Sequence, residues 1–380
     1  MNLHELPMII FTVVSQMAVG MFVVLGVLDL WLTTKVDDKT ADRLVAPIVY
    51  LIGPVVVLAM ISSMFHMNDI SNTLNVIRNW GSSWLSREIL AVVGFAGLGA
   101  LYAVMQWFRV GSRRLRQLVA LAAAGVGLLL VLCESMIYAS VSTIPAWHTW
   151  VVPFQFFTTT IMLGSAAVAT SLAVMTVIRK HSERKAQAPV EIPARANRVE
   201  AADRVAVGSD GGGVVDDRPE PTRTERKRPL NSADPNAGQT WKDTLGFTHN
   251  VQAIQAKPTA QEWEYTTKII RAAAVVSAIA AVAILISYVI HVQNLAMHPS
   301  PAATAAAAVF SGGFFWARLI LLGIGAVAVA FVSFRLANVD GFNKPTPLAI
   351  TVVLGFVLLI VAEFMGRSLH YDSMFLVGMG

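Results

Sequence analysis

The sequence predicts an all-α integral membrane protein, a bundle of eight transmembrane helices with a long polar linker between the fifth and the sixth. Three observations carry that prediction. Hydrophobic residues make up 55% of the 380 and charged residues 14%, with a mean hydropathy of +0.59; soluble domains carry roughly 25% charged residues. Eight apolar runs are long enough to cross a bilayer as helices. The Lys and Arg residues gather on alternate connections, as membrane orientation demands.

The runs follow in order. The first, Met8–Leu32, lacks a basic region before it and a convincing small-residue cleavage site, so it reads as a retained span and not a signal peptide. Leu44–Phe65 follows after a short polar connection. Glu88–Phe108 and Leu115–Val141 are separated by Arg109–Arg114, too short for anything but antiparallel neighbours. Trp150–Ile178 is the fifth. The last three are Ile269–Ile290, Phe314–Phe334 and Leu348–Met365. The sequence thus divides into residues 1–178 with five spans, 179–264 as a linker, and 265–380 with three more spans. The linker mixes Arg, Lys, Asp, Glu, Pro and Gly and contains Gly211-Gly212-Gly213 and Arg226-Lys227-Arg228-Pro229. Such a composition cannot bury enough apolar area to offset its ordering entropy, so the linker is expected to be disordered. Its acids are nearly as dense as its bases, which speaks for a solvated segment and against nucleic-acid binding.

Of 29 Lys and Arg, only Arg78, Arg87, Arg318 and Arg367 fall on the side opposite the linker. The linker is therefore expected in the cytoplasm and both termini outward. The histidines show the reverse bias. His4, His66, His148, His291, His298 and His370 map to the outer ends or loops, and His181 and His249 to the linker. No run carries a histidine at its middle, so a pair of axial haem ligands is not expected, and the absence of CxxCH excludes c-type haem. The lone Cys133 excludes an iron–sulfur cluster held by this protein alone. There is no glycine-rich phosphate loop and no HExxH.

Ionisable residues in spans are expensive and mark function first. They are Asp29, Glu88, Glu134, Arg318, Glu363 and Arg367. Asp29 lies near an inner span end and is expected to reach water. Glu363 and Arg367 have the spacing of a helical ion pair. Glu134 sits about two turns inside its span, where it is either protonated or lines a polar cavity. His66 ends the second span and Glu88 starts the third, on one side of the membrane. Between them, Met67–Arg87 is apolar enough for an interfacial helix with Leu74, Ile77, Trp80, Trp84 and Leu85 toward lipid. An imidazole that titrates near neutral pH beside a carboxylate, under aromatic side chains, suits a lipid-soluble molecule that must lose protons. A histidine at a helix end and a snorkelling glutamate would look the same.

Five stretches resemble the dimethyl sulfoxide reductase anchor subunit family, itself distantly similar to polysulfide reductase membrane subunits. They are Glu5-Leu6-Pro7-Met8-Ile9-Ile10-Phe11-Thr12 with Gln16; Ser63-Met64-Phe65-His66; Ser82-Ser83-Trp84-Leu85-Ser86-Arg87-Glu88; Thr143-Ile144-Pro145-Ala146-Trp147 with Pro153 and Phe156-Phe157; and Ala362-Glu363-Phe364-Met365-Gly366-Arg367. The family's Gly-x-Pro after the histidine is replaced by Asn68-Asp69-Ile70, and the linker is longer than is usual there. The resemblance implies a multi-pass anchor in the bacterial inner membrane that oxidises menaquinol. It would pass electrons to an iron–sulfur subunit, which feeds a molybdopterin catalytic subunit in anaerobic respiration. By motif position, His66 and Glu88 would bind menaquinol and take its protons; by analogy with the polysulfide enzymes, Tyr138 would be a further contact. On this reading the protein holds no redox centre and is not an enzyme alone. The rival class is an eight-span transporter or channel, whose sites would sit nearer the midplane in broken helices.

Overall fold

A computed structural model of the protein describes residues 6–64, 78–187, 257–337 and 344–377. The described residues are helical, with α1 (Leu6–Thr33), α2 (Asp38–Met64), α3 (Trp84–Phe108), α4 (Arg113–Ala139), α5 (Val151–Gln187), α6 (Ala260–Met297), the short α7 (Pro301–Val309), α8 (Gly313–Val327), a π-helical turn (Ala328–Val332), α9 (Ser333–Leu336) and α10 (Pro345–Asp372). Among them, eight helical stretches are long and apolar enough to span a membrane; α8, the π turn and α9 together form the seventh. This is a multi-pass membrane protein.

Successive spans run antiparallel. One end of the bundle gathers the starts of α1, α3, α5 and α8 with the ends of α2, α4, α6 and α10; we call it the Glu88 end. The other, the Arg43 end, gathers the starts of α2, α4, α6 and α10 with the ends of α1, α3, α5 and α9. Contacts between helices at both ends show this arrangement. At the Arg43 end, Arg113 of α4 pairs with Asp29 of α1, and Arg43 of α2 with Glu262 of α6. At the Glu88 end, Trp147 Nε1 donates to the His370 carbonyl and the Val377 amide to the Thr143 carbonyl.

The most buried spans, α1 and α5, form the centre of the bundle; about 78% of the apolar window in each is enclosed, against 28% in α3 and 24% in the seventh span. They meet at Gly20 and Gly164, where a Cβ on either would collide with the backbone of the other helix. Small residues allow this approach, and in lipid, where burial gives no hydrophobic gain, close packing is what holds helices together. The outer faces of α2, α3, α6 and α10 present Val57, Leu58, Ile61, Val93, Ile279, Ile286, Ile350 and Leu354, a surface suited to acyl chains.

The helices run beyond the apolar runs that announce them. α5 continues to Gln187, into the region read as linker. α6 begins at Ala260, fixed by a capping box in which Thr259 and Glu262 satisfy each other's backbone N–H groups. At 38 residues α6 is about 57 Å long, well over the roughly 30 Å hydrocarbon core. The remainder of the linker, 188–256, lies outside the described residues, as do 67–77 of the expected interfacial helix. The rest of that segment is not helical up to Ser83: residues 78–82 form a turn, and Trp84 and Leu85 belong to the first turn of α3.

Candidate functional site

Ser83 starts α3. Its hydroxyl accepts from the Ser86 amide and caps the helix. Arg87, in the turn that follows, reaches back to the carbonyls of Trp80 (2.9 Å) and Gly81 (2.6 Å) and lays its guanidinium over the Trp84 ring at 4.4 Å. Its donors are thus engaged on the turn before α3. Glu88, one residue on, faces inward and is 5% exposed. Among the described residues no hydrogen bond or ion pair reaches its carboxyl. Glu134 is close enough for its charge to act on Glu88. His66 lies outside the described residues, so the pairing of His66 with Glu88 expected from the sequence does too.

Glu134 itself, fully buried on α4, is held by α1. Ser15 Oγ lies 2.6 Å from its Oε1, and Gln16 Nε2 donates to its Oε2 at 3.1 Å. Ser15 Oγ is also 3.1 Å from the Thr12 carbonyl. A hydroxyl has one proton, so Ser15 can donate to a charged Glu134, or accept from a protonated one while donating to Thr12. The site is hydrogen-bonded in both states. The orientation of Gln16 is fixed from its other side, because its Oε1 accepts from Arg367 Nη2 at 2.8 Å and Arg is only a donor.

Arg367 of α10 therefore does not pair with Glu363 four residues earlier, as the spacing suggests. Its guanidinium turns to Gln16 and lies 3.4 Å from the Phe156 ring centroid. The cation that takes Glu363 is Arg318 of α8, at 3.2 Å, with Thr159 Oγ1 donating to the other carboxylate oxygen at 2.8 Å. Arg318 is 1% exposed; its Nε donates to the Ala362 carbonyl, and its guanidinium covers Tyr288 at 4.1 Å. Among the described residues, Arg318 Nη1, Arg367 Nε and His370 Nε2 are buried without hydrogen-bond partners around one small cavity, about 10 Å³, that Gln155 and Thr159 also line. That is room for about one water, with polar partners enough to hold it. Asp29, expected to reach water, is instead buried against Arg113 at 2.5 Å, with Gln117 donating to its carbonyl at 3.3 Å.

Tyr138 sits at the same end, 4% exposed, its hydroxyl 2.5 Å from that of Tyr371. His370 stacks on Trp147 with centroids 5.2 Å apart and meets the Tyr138 ring edge-on at 4.8 Å. This aromatic floor closes the bundle beside Glu134. The structure thus brings Glu88, Glu134 and Tyr138 to one end. It adds Ser15, Gln16, Thr159 and Gln155, which sequence reading did not single out as site residues; the available signal was an amide or hydroxyl within an apolar run.

Comparison with known proteins bears on the same half of the sequence. The family model "DMSO reductase anchor subunit" matches residues 1–187. Among curated proteins, the anaerobic dimethyl sulfoxide reductase component YnfH of Escherichia coli is 28% identical over 169 residues, 44% of this protein and 58% of the relative. A second anaerobic dimethyl sulfoxide reductase component of the same organism is 29% identical over 163 residues, 42% of this protein and 55% of the relative. A component of the sulfite dehydrogenase of Allochromatium vinosum is 29% identical over 133 residues, 31% of this protein and 40% of the relative. The protein thus spans little more than half the length of the dimethyl sulfoxide reductase relatives it matches. Across residues 1–187, which hold α1 to α5 with Glu88, Glu134 and Tyr138, it is a match to the DMSO reductase anchor subunit family.

Proposed function

We propose that the protein is the membrane anchor of a dimethyl sulfoxide reductase-type complex and that it oxidises menaquinol at the Glu88 end. The observation that carries this reading is Glu88: an inward carboxyl at a span end, without an ion pair among the described residues, beside a second carboxyl already equipped to hold or release a proton. Menaquinol must lose two protons and two electrons. His66 accepts the hydrogen bond and then the proton of one quinol hydroxyl, Glu88 takes the proton of the other, both protons pass on to water at the adjacent surface, and Tyr138 borders the ring. The electrons leave one at a time for a docked iron–sulfur subunit and then a molybdopterin catalytic subunit. The family match supports the anchor role; the excess of Lys and Arg at the Arg43 end supports an orientation with the Glu88 end outward in a bacterial inner membrane.

The test uses the assembled complex in native membranes. Glu88→Gln and His66→Arg should each lower menaquinol-dependent reduction of the terminal acceptor by about a hundredfold or more, the scale of a lost general base. Reduction driven by a viologen, which bypasses the quinol, should persist. Near-normal menaquinol oxidation in both variants overturns the assignment.

A further inference from the structure

At the Arg43 end, α2, α3 and α5 leave an open pocket lined by Arg43, Tyr50, Gln106, Trp107, Arg109 and Arg179. Its charges do not balance. The acid at its rim, Asp42, is engaged by Arg116 at 3.0 Å. Glu262 is engaged by Arg43 at 3.0 Å. No carboxylate lies within ion-pair distance of Arg109 or Arg179 among the described residues. Arg179 is 7% exposed; its Nη2 donates to the Arg43 carbonyl at 3.3 Å, and its Nε is buried with no partner among the described residues. Arg43 repels Arg179 while Glu262, though engaged by Arg43 and beyond ion-pair distance of Arg179, attracts it in part, and both Arg109 and Arg179 act on Tyr50. A cluster of cations in a partly enclosed pocket is costly unless an anion completes it.

The backbone points the same way. Arg109 closes α3 in the left-handed region, φ 53° and ψ 37°, where glycine would be unstrained and a side chain is not. An arginine there puts its side chain on the pocket wall. The depth is that of the lipid phosphates, because Arg109 directly follows the apolar part of α3 and Arg179 directly follows that of α5. Tyr50 and Trp107 meet edge to face at 6.1 Å, the kind of aromatic pair that settles at a membrane–water interface. The lower wall, with Pro47 and Met175, is apolar.

We propose that this pocket binds a phosphate group, supplied by the headgroup of an anionic phospholipid. Arg109 and Arg179 donate to the phosphate oxygens from two sides, a geometry guanidinium groups favour, and Gln106 reaches the polar part of the headgroup. The acyl chains lie along α2 and α3. The site is independent of the quinol reading, since it sits at the opposite end of the bundle from Glu88.

The full-length protein, purified in neutral detergent, is titrated with dioleoyl phosphatidylglycerol, dioleoyl phosphatidylcholine and inorganic phosphate. Retained lipid is read by native mass spectrometry, and the unfolding midpoint is recorded in parallel. Phosphatidylglycerol should saturate one site and raise the midpoint, and phosphatidylcholine should do neither. Arg109→Gln should weaken phosphatidylglycerol about tenfold, the equivalent of one charge-assisted hydrogen bond, and adding Arg179→Gln should weaken it further. Arg114→Gln, an exposed cation at the same end but outside the pocket, should change nothing and so controls for general surface charge. Arg109 is exposed, so its variant tests the site even where Arg179→Gln fails to fold. Inorganic phosphate that displaces the lipid confirms the phosphate chemistry; inorganic phosphate that reproduces the midpoint shift at similar occupancy reassigns the source to free phosphate. Equal retention of the two lipids, or equal effects of Arg109→Gln and Arg114→Gln, overturns the proposal.

Discussion

Arg318 shows how one residue organises a membrane core. Its charge meets Glu363, its Nε meets a carbonyl, and its face meets Tyr288. Arg318→Leu leaves Glu363 charged and buried with only Thr159, so it should destabilise the protein by about 3–5 kcal/mol. The double variant Arg318→Met with Glu363→Leu removes both charges and should recover most of that loss. Denaturation of the purified variants in detergent distinguishes the two; equal losses would mean that the ion pair is not the stabilising feature. Glu134→Gln makes a different case. A glutamine there can accept from Gln16 and donate to Ser15, which still has the Thr12 carbonyl, so the fold should lose less than ~1 kcal/mol. The variant cannot take up a proton, however. If Glu134 shares in proton removal, menaquinol oxidation should fall by about tenfold or more with the unfolding midpoint nearly unchanged, and full activity would exclude that role.

At the scale of elements, the crossing of α1 and α5 depends on two glycines facing one another. Gly20→Leu forces the helices apart along backbone that cannot yield, so its cost should exceed the ~1–3 kcal/mol of ordinary overpacking. The folded yield from membranes is the measure, and wild-type yield would contradict the contact. The start of α2 rests on a weaker device. Asp37 accepts from the Thr40 amide at 3.2 Å, and hydrogen bonds from Thr40, side chain first and then backbone, hold its carboxyl below the usual 3.8. A carboxyl depressed in the folded state stabilises above its unfolded value, and that contribution disappears as pH falls through the lower folded value. Amide exchange in the first turn of α2 should therefore accelerate, relative to the rest of the helix, once pH drops below about 4, and Asp37→Asn should flatten that dependence. The spans themselves were legible because an apolar run of the right length has few alternatives. Their ends were not, because helix continues wherever backbone bonding and a cap allow. The Thr259–Glu262 capping box was nonetheless readable as a Thr-x-x-Glu pattern, and it sets the start of α6 well before its apolar run.

For the whole molecule, the distribution of Lys and Arg predicts a definite orientation. Protease added to inverted vesicles should cut between residues 188 and 256, and tags at either terminus should be reachable only from the opposite face. Protection of that segment in inverted vesicles would reverse the assignment. The candidate site was partly legible at this scale. Glu88, Glu134, Arg318, Glu363 and Arg367 could each be picked out because an ionisable group in an apolar run is expensive. Their pairing could not, since it depends on which helices become neighbours. Spacing along α10 suggested Glu363 with Arg367, whereas Arg318 from α8 and Gln16 from α1 reach those two groups first.

The bond between Gln16 and Arg367 joins residues 351 apart in the sequence. At a synthesis rate of roughly 5–20 residues per second, α10 leaves the ribosome about 20–70 s after α1. Once α4 has followed α1, and until α10 arrives, Gln16 and Glu134 are in the membrane without the guanidinium that fixes the Gln16 amide. Until then a polar pair stands in hydrocarbon without its third partner, and arrival of α10 supplies it. Polypeptides truncated before α10 would keep that pair incomplete for as long as they exist.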